Sequence, residues 1–177
     1  MKKLIKLTLL IALTMSVSEL YAQKFARVNT QELFALMPET AEMQKNLEAF
    51  GKDLNEQLEQ IQVEFNNTAA DFEKNQATMA ASVKQMKQQE LQQLQSRYME
   101  FQRIAQEDFQ KKQAELAEPI DKKLKDAIAK VAKAAGYHGV FDSAMPALVY
   151  FDATHMVDIA AAVKKELGIA ESATPAK

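Results

Sequence analysis

The chain has 177 residues and a formal net charge of −2, with no cysteine, four glycines and four prolines. The lack of cysteine excludes a disulfide framework and a thiol for lipid attachment. The slightly acidic balance gives no electrostatic footprint for nucleic acid. The scarcity of glycine and proline favours long helices over a loop-rich domain.

The first residues have the layout of a secretory signal peptide. Three lysines precede an apolar run over residues 7–15, and a more polar stretch ends at Ala22. The apolar run is shorter than the roughly 20 residues of a membrane-spanning helix. We therefore expect residues 1–22 to be a cleaved signal peptide and the remaining chain to be exported in soluble form. Because residues 1–22 hold three lysines and one glutamate, cleavage changes the formal charge from −2 to −4.

A strand and a short helix are predicted ahead of the first long helix. Residues 25–29 have a short strand pattern, and residues 31–37 have the pattern of a short amphipathic helix. Pro38 interrupts that helix. Proline is favoured in a first helical turn, and Glu39 places a negative charge near the positive end of the helix dipole, so a new helix is expected to begin here.

Two long apolar stripes with helical spacing follow. The first consists of Met43, Leu47, Phe50, Leu54, Leu58, Ile61, Phe65, Ala69 and Phe72. Residues 75–82 are polar or small, and a second stripe consists of Val83, Met86, Leu91, Leu94, Tyr98, Phe101, Ala105, Phe109 and Leu116. Two stripes joined by a short break predict an antiparallel helical hairpin, with each arm reaching roughly 50 Å.

The apolar residues of this hairpin arm, residues 43–118, are assigned two different roles. Apart from the alanines, Val83, Met86 and Leu116, the stripe residues are predicted to form the seam between the two helices. Apolar residues that the seam does not explain are candidates for binding other proteins: Val63, Met79, Met86, Met99 and Ile104. Gly51 and Pro119 are predicted hinges near the two roots of the arm.

The rest of the chain is predicted to form a small body from residues 23–42 and 119–169. The returning helix is expected to end at Gly136, and strand patterns cover residues 139–142 and 147–151. A last helix ends at Gly168, and residues 170–177 are expected to be disordered. So few residues are marginal for a monomeric core, which indicates oligomerisation. The predicted assembly residues are Phe25, Val28, Leu33, Val140, Phe141, Leu148, Tyr150, Ile159 and Val163.

Both ends of the chain resemble the Skp/OmpH family of periplasmic chaperones. Residues 24–33 ahead of Pro38 are similar to the family's opening, and residues 118–167 are similar to its closing segment. The resemblance implies a mainly helical, jellyfish-shaped trimer with a small β body, whose arms hold unfolded outer-membrane β-barrel proteins in the periplasm. It also implies no ATP, no cofactor and no catalysis, and weak contact with a membrane surface or lipopolysaccharide.

The chain departs from the family pattern in two respects. Well-known members are strongly basic, whereas this chain is acidic, which weakens the case for electrostatic capture of acidic clients. Family members commonly have threonine where this chain has Ala160, so Asp158 is expected to cap the last helix instead.

Other classes of function find little support in the sequence. No nucleophile with a base, metal-ligand spacing or phosphate loop is present, which argues against an enzyme. His138 and His155 are interpreted as surface residues, and Asp142, Asp152 and Asp158 as residues that end or cap an element. The remaining alternative is a structural coiled-coil spacer or adaptor of the cell envelope, which would need partner-specific surface at the arm tip.

Overall fold

The structure is a computed structural model that describes residues 24–145, 150–152 and 154–170. The predicted signal peptide, the segment 147–149 with Leu148, and the tail from residue 171 lie outside the described residues. The described elements in chain order are β1 (Phe25–Val28), α1 (Thr30–Leu36), α2 (Pro38–Asn75), α3 (Ala81–Ala135), β2 (Gly139–Asp142), β3 (Met156–Asp158) and α4 (Ala160–Leu167). The mainly helical fold with a small β body is confirmed. Within the described part of the chain, no helix is both long and apolar enough to cross a membrane.

The chain divides into two compact units. One, which we call the hairpin unit, contains residues 34–123. The other, the sheet unit, contains the described residues of 24–33 and 124–170. The first holds all of α2 and most of α3, whereas the second holds all three strands and α4.

The hairpin unit is an antiparallel pair of long helices. Pro38 occupies the first turn of α2, as predicted, after Met37 in extended conformation. The chain reverses over residues 76–80, inside the predicted break. Residue numbers rise along α2 as those of their partners fall along α3: Glu39 pairs with Lys123, Gly51 faces Phe109, and Glu64 pairs with Arg97. At 1.5 Å per residue, the 38 residues of α2 extend for about 57 Å.

The sheet unit is built around β1, the central strand of a three-stranded parallel sheet in the order β2-β1-β3. Side chains alternate along β1, so Ala26 and Val28 are buried while Phe25 and Arg27 are partly exposed. The buried side chains of this unit come from β1, from α1, from the last part of α3, and from α4 with the residues that flank it. They are Ala26, Val28, Leu33, Leu124, Ala127, Ala132, Ile159, Val163 and Ile169.

Left-handed glycines end the last two helices. Gly136 and Gly168 both have φ of 72°. After α3, the N–H of Tyr137 donates to the carbonyl of Ala132 over 2.9 Å, and after α4 the N–H of Ile169 donates to that of Lys164 over 2.9 Å. These bonds satisfy helix carbonyls that have no partner within the helix. The predicted stops at both glycines are confirmed.

One observed strand was not predicted, and one predicted strand has only its last two residues in the described part of the chain. Tyr150 and Phe151, the described residues of the predicted strand 147–151, lie outside any strand. The third strand is instead Met156–Asp158, which pairs with β1 from Phe25 to Arg27. Three residues are too few to show the period-2 alternation by which a strand is recognised in a sequence. This strand depends on its pairing with β1.

Candidate functional site: the hairpin surface and the open face of the sheet

The apolar stripes of α2 and α3 differ sharply in exposure from the rest of the hairpin surface. Every residue of the predicted seam is buried or half-buried, with Leu47, Ile61 and Leu94 less than 9% exposed. Their charged neighbours are mostly exposed. Such a narrow stripe is wide enough to cover one partner helix only.

A second set of apolar side chains on the hairpin unit is exposed. Among the five predicted binding residues, Met86 and Met99 are 64% and 65% exposed, Val63 is 48% exposed and Ile104 is 37% exposed. Met79, in the reversal, is half-buried. Val83, which belongs to the second stripe but not to the predicted seam, is 40% exposed. The exposed residues lie on both helices.

The two helices of the hairpin unit differ in charge. Between residues 38 and 75, α2 carries nine acidic and three basic residues, whereas residues 81–123 of α3 carry seven acidic and eight basic residues. Several of these charges form ion pairs within one helix, such as Arg103 with Glu100 and Glu107. The acidic excess of the hairpin unit therefore lies on α2.

The two predicted hinges lie inside continuous helices. Gly51 lies in the middle of α2, and a Cβ added there would come within 3.3 Å of the Phe109 ring. The glycine thus permits a close approach between the helices, a packing role that its sequence position did not reveal. Pro119 lies within α3, which continues to Ala135. It lines a depression at the arm root together with Met43, Leu116 and Ile120.

The partly exposed face of the sheet carries aromatic and charged side chains. The rings of Phe25 and Phe141 lie 5.7 Å apart, centroid to centroid. Arg27 forms an ion pair with Asp158 over 3.1 Å, and its guanidinium lies 4.7 Å from the centroid of the Phe151 ring. Sequence analysis missed Arg27 and Phe151. A charged residue in the middle of a four-residue strand was the available signal, because such a residue needs a partner.

The predicted assembly residues fall into two groups. Val28, Leu33, Ile159 and Val163 are buried within the chain itself. In contrast, Phe141 is 42% exposed and Tyr150 is 82% exposed, while Phe25 and Val140 are half-buried. The exposed members leave apolar surface on the sheet unit that the described residues do not cover.

The aspartates at the strand ends hold local structure. Asp142 accepts hydrogen bonds from Thr30 and Ala144, and Asp158, the last residue of β3, accepts one from the N–H of Ala160 over 2.9 Å. Asp158 was the predicted cap, but the N-cap position of α4 is held by Ile159, so Asp158 accepts this bond from one residue before that position. Hydrogen bonds from the Thr154 hydroxyl and N–H, together with His155, lower the pKa of Asp152 to about 2.

The two histidines do not form part of a metal or catalytic cluster in the described structure. His155 is exposed and contacts Asp152 and Thr154, and His138 is exposed beside β2. Among the described residues, no three histidine, aspartate or glutamate side chains are grouped so that they could hold a metal ion.

Comparisons with known proteins agree with this architecture. A model of the family described as outer membrane protein (OmpH-like) matches residues 24–167. No protein among the curated sequences matches the chain. A crystal structure of a protein assigned as an OmpH-like outer membrane chaperone, from Caulobacter crescentus CB15, superposes with a TM-score of 0.69 at 15% identity. The superposition covers 83% of this chain and 85% of that one. At this identity, the structural likeness establishes the fold, and the family match establishes that the chain belongs to the OmpH-like outer membrane protein family.

Proposed function

We propose that the protein is an ATP-independent periplasmic holdase, a homotrimer that keeps unfolded outer-membrane β-barrel proteins from aggregating by holding them between its hairpins. The observation that carries this proposal is the division of apolar residues on the hairpin unit. One set, the predicted seam, is buried or half-buried, and a second set, Val63, Met86, Met99 and Ile104, is exposed.

Several exposed apolar residues suit a chaperone that binds many sequences. A single exposed valine or methionine offers little affinity. Several of them can contact one flexible client chain, and once the first contact forms, the others form at a high effective concentration, so the overall affinity rises. Methionine adapts its shape to different apolar partners, which suits low sequence specificity. A continuous apolar surface would instead promote self-association of the chaperone. The chemistry required is binding only, so the proposal includes no cofactor and no catalysis.

The sheet unit supports the homotrimer part of the proposal. β2 and β3 each pair with β1 on one side, and their other edges have no strand partner among the described residues. Unpaired strand edges and exposed aromatic residues such as Tyr150 favour assembly with further copies. Three hairpins joined in this way would surround a cavity, and Gly51 and Pro119 would be the hinges of each hairpin.

The proposal is tested by light scattering after dilution of a urea-denatured outer-membrane β-barrel protein into buffer. We expect the exported protein to suppress aggregation equally with and without ATP. A variant with Val63→Gln, Met86→Gln, Met99→Gln and Ile104→Gln should lose most of this activity. The matched control places the same residue at exposed helix positions, Ala49→Gln, Ala70→Gln and Ala114→Gln, and should retain it.

Two results would count against the holdase. Aggregation that proceeds unchanged in the presence of the folded trimer would shift the assignment to a structural spacer or adaptor of the cell envelope. Equal suppression of aggregation by the four-residue variant and the control would show that the exposed apolar residues do not bind the client.

A further inference from the structure

A shallow groove runs along α2 on the side next to the stripe residues. Its first part is lined by Leu47, Gly51 and Phe109, where the missing side chain of the glycine leaves the Phe109 ring open to the groove. Its second part is lined by Val63, which is 48% exposed. The two parts share Glu56 and Glu59, so they form one continuous groove. Its apolar residues therefore lie at the two ends, roughly four helical turns apart, and polar residues line the part between them.

The rim of this groove is acidic. Glu48, Glu56, Glu59 and Glu64 line it, and Lys52 is the basic residue along it. Lys52 forms an ion pair with Glu56 over 3.6 Å, and Glu64 is paired with Arg97 over 3.2 Å.

Two of the rim carboxylates remain without a counter-charge. Within the described part of the chain, Glu48 and Glu59 are exposed and form no ion pair. They stand eleven residues apart on the same helix, about 16 Å along its axis. An extended segment with basic residues four or six positions apart, which lie on the same side of the chain, would span about 13 or 20 Å and bring two long side chains to these carboxylates, because an extended chain rises about 3.3 Å per residue.

We propose that this groove binds extended segments of unfolded client proteins in which lysine or arginine residues are spaced among apolar residues. The apolar side chains of such a segment would lie on Phe109 and Val63, and its basic side chains would pair with Glu48 and Glu59. The occupant follows from charge complementarity, because an acidic rim repels acidic segments and attracts basic ones at short range. This inference rests on the proposed function and adds a client class to it.

The test compares two labelled, unstructured peptides with identical apolar positions, one carrying lysine and the other glutamate at the intervening positions. Binding to the full exported protein is measured by fluorescence anisotropy at low and at high ionic strength. We expect the lysine peptide to bind about ten-fold more tightly at low salt, and this preference to shrink as salt screens the exposed charges.

The variant Glu48→Gln with Glu59→Gln removes the two unpaired rim charges. We expect it to weaken binding of the lysine peptide by about three- to ten-fold, the range for two exposed charge pairs. The matched control, Glu73→Gln with Glu118→Gln, changes the net charge equally at exposed positions outside the groove and should change binding by less than about two-fold.

Three results would overturn the inference. Equal affinity for the two peptides would show that charge does not select the occupant. Equal weakening in the rim variant and in the control would show a general charge effect. A changed sedimentation coefficient of the rim variant would show that the groove is covered by a second copy. The barrel aggregation assay, run in parallel, distinguishes a failure of the groove from a failure of the holdase itself.

Discussion

The carboxylate of Asp142, at the end of β2, accepts hydrogen bonds from the hydroxyl of Thr30 over 2.5 Å and from its backbone N–H over 3.2 Å. These residues lie 112 positions apart in the chain. Thr30 is the first residue of α1, so a side chain from the end of the sheet satisfies a backbone donor at the start of a helix. The contact ties the two distant segments of the sheet unit together.

Replacing Asp142 should therefore destabilise the sheet unit. We expect Asp142→Ala to lower the free energy of unfolding by about 1–2 kcal/mol, because it leaves two partly buried donors on Thr30 without an acceptor. Asp142→Asn keeps an acceptor oxygen and should cost less. Urea denaturation followed by circular dichroism measures both, and an unchanged midpoint for Asp142→Ala would contradict the capping role.

The same contact predicts a dependence on pH. Burial raises the pKa of Asp142, but hydrogen bonds from Thr30 and Ala144 outweigh this and hold the pKa below its usual 3.8. A carboxyl group with a depressed folded-state pKa contributes stability above its unfolded pKa and loses it as pH falls through the folded value. The stability difference between the native protein and Asp142→Asn should thus be full above about pH 4 and shrink below it. Thermal melts over pH 2–7 test this, and a constant difference would refute it.

Thr40 is the buried polar residue of the hairpin unit. It is 4% exposed, and its hydroxyl donates to the carbonyl of Phe34 over 2.5 Å, which joins the end of α1 to the start of α2. We expect Thr40→Val to cost about 1–2 kcal/mol, because it keeps the shape and removes the donor. Thr40→Ser, which keeps the hydroxyl, is the matched control. Equal melting temperatures for the valine variant and the native protein would show that the bond contributes nothing.

The contact between Gly51 and Phe109 makes a non-additive prediction. Glycine to alanine inside a helix ordinarily stabilises by about 1 kcal/mol. At Gly51 the new Cβ meets the Phe109 ring at 3.3 Å, so Gly51→Ala alone should fall short of that gain. In the background Phe109→Leu, the same change should recover it. A double-mutant cycle by denaturant unfolding measures the coupling, and purely additive effects would mean that the ring yields freely.

Pro119 interrupts the backbone hydrogen bonds of α3 near the arm root. Pro119→Ala supplies an N–H that can donate to the carbonyl of Glu115, so we expect a stiffer root and slower amide exchange over residues 115–123. Under the proposed function, client capacity should change while the proposed homotrimer persists. Native mass spectrometry tests the second point, and a monomeric Pro119→Ala variant would contradict it.

The periodicity of the sequence predicted the long helices well because the spacing of apolar residues within each helix marks the face that the helix buries. Stripe spacing of three and four residues, Pro38 at a helix start and glycine at two helix ends are local signals, and all of them correspond to the structure. Residues 76–80 reverse the chain without glycine or proline, and the lapse of the stripe was sufficient to locate them.

The sheet could be predicted only in part. Strand β3 has three residues and is extended because it pairs with β1, which lies more than a hundred positions away in the sequence. The contacts of Arg27 with Asp158 and Phe151, and the hydrogen bonds between Thr30 and Asp142, also join distant segments. A single sequence carries no local signal for such pairs. Gly51 was predicted to be a hinge, and its contact with Phe109 was missed because Phe109 lies on the other helix.

Native mass spectrometry of the exported protein, alone and after addition of a urea-denatured outer-membrane β-barrel protein, tests the central claim most directly. The account predicts a trimer alone and a discrete complex of the trimer with an unfolded barrel. A trimer that forms no complex while the barrel protein aggregates would contradict the holdase function, and a monomer would contradict the assembly as well.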